Sequence, residues 1–171
     1  VLVSAEADII APMATKLYQF SPINSKEELL NAVTYVAEKT TELCKKITGE
    51  EYPISSLTVF THYLDEFEKL KTILFEQGEL DHENNGPFVR LKEGIALPYN
   101  ELKLLRVRQP DPYRMQVGCC DFKVSDYQEF KNKYMNKYSY NFRLIERENY
   151  EMIELYDPNF DVLAYFLSNQ Q

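Results

Sequence analysis

Arg106 and Arg108 stand two positions apart in a strand-like run, with Leu105 and Val107 alternating against them. In a strand that spacing puts both arginines on one face, about 7 Å apart at a rise of ~3.3 Å per residue. Two guanidinium groups so placed can grip one carboxylate or phosphate through paired N–H donors. Arg90 is a third candidate for the same work. The competing reading is a polar outer face whose arginines pair with nearby acids. The sequence leaves both open, because a one-residue slip in register exchanges the two faces.

His62 and His82 are the only histidines. With neighbours such as Asp81 and Glu83 they are the residue types that hold a divalent metal. Their positions argue for surface or partly buried roles instead: His62 closes its strand, and His82 adjoins an Asn-Asn-Gly turn. Cys119 and Cys120 are adjacent in a predicted strand, so at most one faces any cleft. Neither has a histidine near in sequence to activate it, and small buried apolar roles are expected. Asp121 beside them is a candidate general base. Glu146, Glu148, Glu151 and Glu154 crowd one hairpin. Glu151 and Glu154 fall on opposite faces and cannot act as a pair, so a solvated hairpin edge is expected.

The elements that must position these groups follow from periodicity. Ser25 and Glu28 have capping-box spacing, and Leu29, Leu30, Val33, Ala37, Cys44 and Ile47 recur at helical intervals up to Gly49. Residues 4–20 read as partly helical, with a boundary at Pro12. Beyond residue 54 a strand-then-helix unit occurs twice: strand 55–63 with helix 65–77, and strand 115–124 with helix 126–137. Capping boxes are expected at Asp65/Glu68 and Ser125/Gln128. Strands at 79–83, 88–92 and 101–109 complete the first copy, the first two joined through Asn85-Gly86, a strong hairpin signal. Strands at 142–147, 150–156 and 161–167 complete the second. Gln109-Pro110-Asp111-Pro112-Tyr113 separates the copies. The expected fold class is α+β, with paired βαβββ modules at 51–109 and 110–171 and a helical segment at 1–50 packed on one compact core.

This pattern resembles the vicinal oxygen chelate superfamily of glyoxalase, bleomycin-resistance and dioxygenase-like proteins. The resemblance rests on the module pair and on the last hairpin at Asp157-Pro158-Asn159. A closer likeness is to the YecM-like family, through Phe75 to Leu80, Asn85-Gly86-Pro87 and Pro110-Asp111-Pro112. It implies modules that curl around a shared cleft, with metal ligands on first and last strands. Here those positions fall near Ser56 or Leu57, near Gly118 or Cys119, on Ala164 and on Arg108, and no histidine occurs in 53–60 or 115–124. The expectation is therefore no metal and no cofactor. The expected ligand-binding set is Arg106, Arg108, Arg90, Ser56 and Cys119, directed at a small-molecule anion.

Bulk properties limit the partners. The chain has 171 residues, 44% of them apolar, and 19 basic against 27 acidic residues give a net charge of −8. That charge disfavours nucleic acid and anionic membrane. Three cysteines without CxxC spacing suit reduced thiols and a cytoplasmic location. No apolar run approaches a membrane span, and Val1-Leu2-Val3 has neither the basic nor the apolar region of a signal peptide. Three functions remain: an anion-binding or interaction domain; a metal-dependent lyase, isomerase or dioxygenase built from His62, His82 and nearby acids; or a structural protein that forms a homodimer.

Overall fold

The computed structural model of the chain describes residues 16–137 and 140–169. Helix α1 (Lys26–Thr48) opens at Ser25, whose hydroxyl accepts the Glu28 N–H, while the Glu28 carboxylate accepts the Asn24 N–H. It closes at Gly49, in the left-handed region at φ 76°, whose N–H returns to the Lys45 carbonyl. Its buried stripe of Leu29, Val33, Val36, Ala37 and Leu43 lies against β1, β5 and β8, defined below. The predicted helix at 4–20 lies mostly outside the described residues, and the part that is described, 16–20, is a bend rather than a helix.

The first module is β1 (Ile54–Phe60), α2 (Leu64–Gln77), β2 (Gly78–Glu83), β3 (Pro87–Ala96) and β4 (Glu101–Arg108). The second repeats the order with β5 (Gly118–Phe122), α3 (Tyr127–Tyr134), β6 (Phe142–Glu146), β7 (Glu151–Leu155) and β8 (Val162–Leu167). All eight strands form one sheet in the order β2-β3-β4-β1-β5-β8-β7-β6. Within each module the first and last strands run parallel, and the two first strands, β1 and β5, meet antiparallel at the centre. The fold is α+β, two βαβββ modules with a helix before them.

Strand alternation divides the sheet into two faces. Leu57 and Val59 of β1, Leu105 and Val107 of β4, Ala164 and Phe166 of β8 bury against the helices in the main core. Phe130 of α3 stacks on Phe166 at 4.2 Å and closes that core beside Tyr52 and Phe142. Gly118 permits the close approach of α1 to the central strands: a Cβ there would lie 2.2 Å from the Thr58 carbonyl oxygen and 2.9 Å from Val36. No helix among the described residues covers the opposite face, which forms the wall of a cleft.

Several boundaries differ from expectation for local reasons. Strand β1 ends at Phe60 rather than 63 because Glu66, not Glu68, reaches back to accept the N–H groups of His62 and Tyr63. Helix α3 is capped by Asp126, whose carboxylate accepts the Glu129 N–H at 2.9 Å, rather than by Ser125. Gln128 turns along the helix to Asn132 instead. Strand β5 is confined to 118–122 against the expected 115–124, and β3 runs on to Ala96.

Candidate functional site

A cleft of about 610 Å³ lies on the sheet face opposite α1 and α2, walled by both modules. Arg106 and Arg108 enter it from β4, while Leu105 and Val107 turn into the core. Arg106 is held on three sides. The sheet register sets Thr58 and Phe88 beside it on the neighbouring strands. Its Nε donates to Thr58 Oγ1 at 2.9 Å, and its guanidinium lies 4.4 Å from the Phe88 ring centre. Its Nη1 donates at 2.7 Å to the carbonyl of Asn84, at the tip of the β2–β3 hairpin. That tip reaches β4 because Asn85 and Gly86 have positive φ (54° and 138°), and Gln109 donates its N–H to the Asn85 carbonyl.

All these partners of Arg106 are neutral, and it makes no ion pair among the described residues. Three of its five N–H donors remain uncommitted. Arg108, with only 18% of its side chain exposed, pairs with Asp111 of the linker at 3.0 Å and lies over Phe60. Arg90 is not brought to the cleft: it is 60% exposed and pairs with Asp81 at 2.7 Å. The expectation for Arg90 is therefore corrected. Its strand alternation is right, but Asp81 on the adjacent edge strand draws it outward.

Ser56 and Cys119 line the same cleft. Ser56 donates its hydroxyl to Asp121 Oδ2 at 2.6 Å. Burial raises the Asp121 carboxyl above its ordinary value, against the opposing effects of the Ser56 bond and the Arg106 charge. Asp121 thus holds a proton to higher pH than a solvated aspartate does. Cys119 is buried, and burial with the Asp121 charge pushes its thiol up to about 12, so it is no nucleophile at neutral pH.

Ala164, aligned by resemblance with a ligand position, faces the helices, while Leu163 and Tyr165 belong to the opposite face, where Tyr165 lines the cleft. Glu154 corrects a second expectation. It is not a solvated hairpin residue: its side chain is 7% exposed and accepts from Tyr165 at 2.7 Å. It also pairs with Arg143 at 2.9 Å and Arg114 at 3.4 Å. Glu151, on the other face, pairs with Lys131 of α3.

The histidines stand apart. His82 is at the cleft margin, stacked on Phe88 at 4.4 Å with Nδ1 2.7 Å from Asp81. His62 lines a separate hollow, stacked on Tyr18 with Nδ1 2.8 Å from Ser21 Oγ, and burial lowers its pKa. Among the described residues no three His, Cys, Asp or Glu side chains converge as a metal site would require.

Thr58, Asn84 and Arg114 join the site without having been anticipated. Only Thr58 left a signal, as the second polar residue of the alternating run Ser56-Leu57-Thr58-Val59. The other two arrive from turns whose direction no local pattern encodes.

No family model and no curated protein matches the chain. Among solved structures it is similar to a structural-genomics protein, Protein EC4020, at 10% identity over 89% of this chain and 90% of that one, with a TM-score of 0.64. It is also similar to a glyoxalase/bleomycin resistance protein/dioxygenase superfamily member from Vibrio splendidus 12B01, at 7% identity over 68% and 97% of the two chains, with a TM-score of 0.45. A methylmalonyl-CoA epimerase from Streptomyces coelicolor matches at 16% identity over 68% and 93%, with a TM-score of 0.41. At such identities likeness speaks to fold and not to activity. The chain has a paired βαβββ α+β fold, with its cleft on the face that carries Arg106.

Proposed function

We propose that this protein binds a small organic anion in the cleft between its modules, with Arg106 as the principal contact and Arg108 beside it. The observation that carries this is the half-buried Arg106 guanidinium, fixed by Thr58, Asn84 and Phe88 yet in ion-pair contact with no acid among the described residues. A guanidinium half withdrawn from water, with only the Asp121 charge near it and no carboxylate bonded to its free N–H groups, is stabilised when an oxyanion meets those donors. The site therefore holds a donor array in place for a planar oxyanion. A metal-dependent lyase, isomerase or dioxygenase built on His62 and His82 has less support, since the two line separate hollows.

We also read the chain as YecM-like within its fold, on Phe75 to Leu80 and the two proline-bearing turns. We place it in the cytoplasm, where its three free, buried thiols would stay reduced. No helix among the described residues is long and apolar enough to cross a membrane.

The test is thermal stability with a panel of carboxylates and phosphates. A ligand at 100 times its Kd should stabilise the wild type by roughly 2.7 kcal/mol. Arg106→Met should abolish the shift and Arg108→Ala should reduce it. If no anion raises the melting temperature, or Arg106→Met responds as the wild type does, the reading fails.

A further inference from the structure

The two walls of the cleft differ in chemistry. The first module contributes polar and cationic groups: Arg106, Arg108, Ser56, and the Asn84-Asn85 turn. The second contributes Arg114, Asp121 and Lys123 at and around β5 and, beyond them on β6, β7 and β8, an apolar surface. Leu163, Tyr165 and Cys119 form a small buried cluster with Phe60, separate from the main core, and Ile145, Met152 and Leu167 pack on it. The last three are only partly buried, and all three line the cleft. Register explains their grouping. Met152 is opposite both Ile145 and Leu167, so one row of apolar side chains crosses β6, β7 and β8.

Among the charged groups of that module, Asp121 is held by the Ser56 hydroxyl on β5 and Lys123 is exposed just past the end of that strand, both off this row. Glu154 is occupied by Arg114, Arg143 and Tyr165. Arg147 belongs to the exposed β6–β7 turn, at the cleft margin. A partly exposed apolar row facing a half-buried cation is a pairing that inorganic phosphate or acetate cannot use in full.

We propose, resting on the anion-binding reading above, that the ligand is an amphipathic organic acid. Its carboxylate lies at Arg106 and Arg108, and its hydrocarbon body lies on Ile145, Met152 and Leu167. The first module supplies the grip on charge, and the second selects for apolar length. Removing apolar surface from water on that wall makes affinity depend on the tail as well as the head.

The experiment is calorimetric titration with acetate, butyrate, hexanoate and octanoate, and with inorganic phosphate, hexyl phosphate and 1-hexanol. Affinity should rise with chain length by up to about fourfold per methylene, the ratio that ~0.8 kcal/mol per buried CH₂ gives. Met152→Ser should flatten that rise, and Met152→Leu, which keeps the apolar surface, should retain it. 1-Hexanol should bind far more weakly than hexanoate. Stronger binding of hexyl phosphate than hexanoate would replace the carboxylate head with a phosphate one. If acetate and phosphate bind through Arg106 but length brings no gain, this inference falls and the anion-binding reading stands. If the gain persists equally in 1-hexanol and in Arg106→Met, binding is apolar alone and both fall. If no acid of any length binds, both fall as well.

Discussion

Asp121 carries a cost that its neighbours only partly offset. Burial raises its pKa above the ordinary 3.8, even with the Ser56 hydroxyl and the Arg106 charge favouring ionisation. A carboxyl raised in the folded state is bound to its proton at pH values where the unfolded chain has released it. Stability is therefore lost as pH rises from the ordinary aspartate value through the raised one, and the full penalty applies above that. Asp121→Asn keeps an acceptor for Ser56 and has no charge to bury. Its urea midpoint should exceed that of the wild type near pH 7, and the difference should shrink toward zero as pH falls through 3.8. A difference that is flat with pH, or that favours the wild type at neutral pH, would show that Asp121 carries no such penalty. Glu154 is the contrasting acid: two arginines and a tyrosine satisfy it, and it joins Arg114, in the chain between β4 and β5, to β7.

Among the elements, the β2–β3 hairpin does most to position the site. Gly86 has a φ of 138°, and a Cβ added there would lie 2.1 Å from the Val107 carbonyl oxygen. Gly86→Ala should lift the hairpin from β4, withdraw the Asn84 carbonyl from Arg106, and cost at least about 1–3 kcal/mol in strain. Anion binding should weaken with it. Asn85→Gly, at a φ of 54° that glycine tolerates, serves as the control and should leave both nearly unchanged. Chemical unfolding and titration of the two variants check this; equal stability in both would refute the hairpin's role.

The same hairpin shows what the sequence made legible. Asn85-Gly86 announced the turn, and the alternation through Leu105, Arg106, Val107 and Arg108 announced two faces. Which face was inward needed the position of α1 and α2, a long-range fact. Capping boxes were misplaced at Asp65 and Ser125 because several acids and hydroxyls compete at each helix entry, and the chain's exit from the strand decides among them. Arg90 and Glu154 were misread for one reason: their partners Asp81, Arg114, Arg143 and Tyr165 come from other strands and the chain between β4 and β5.

At the scale of the whole molecule, a net charge of −8 coexists with a cleft that presents arginines. Net charge describes encounter at long range, whereas the local field is set by which side chains a curled sheet gathers. The sheet gathers them by joining the modules through their first strands, β1 and β5. That seam has a consequence in time. All four strands of the first module are synthesised by Arg108, but β1 gains its second neighbour only when the chain reaches Phe122. Until then β1, buried at six of its seven positions in the finished protein, is an edge strand with unpaired backbone groups. A chain ending after Pro112 makes that state permanent. It should aggregate at concentrations where the full chain stays dissolved, as light scattering would show; a clear solution of the fragment would mean that another element shields β1. At about 5–20 residues per second the gap from β4 to β5 lasts roughly one to three seconds. During that interval a newborn chain offers its neighbours on the same messenger a sticky edge, so local crowding of ribosomes bears on its yield.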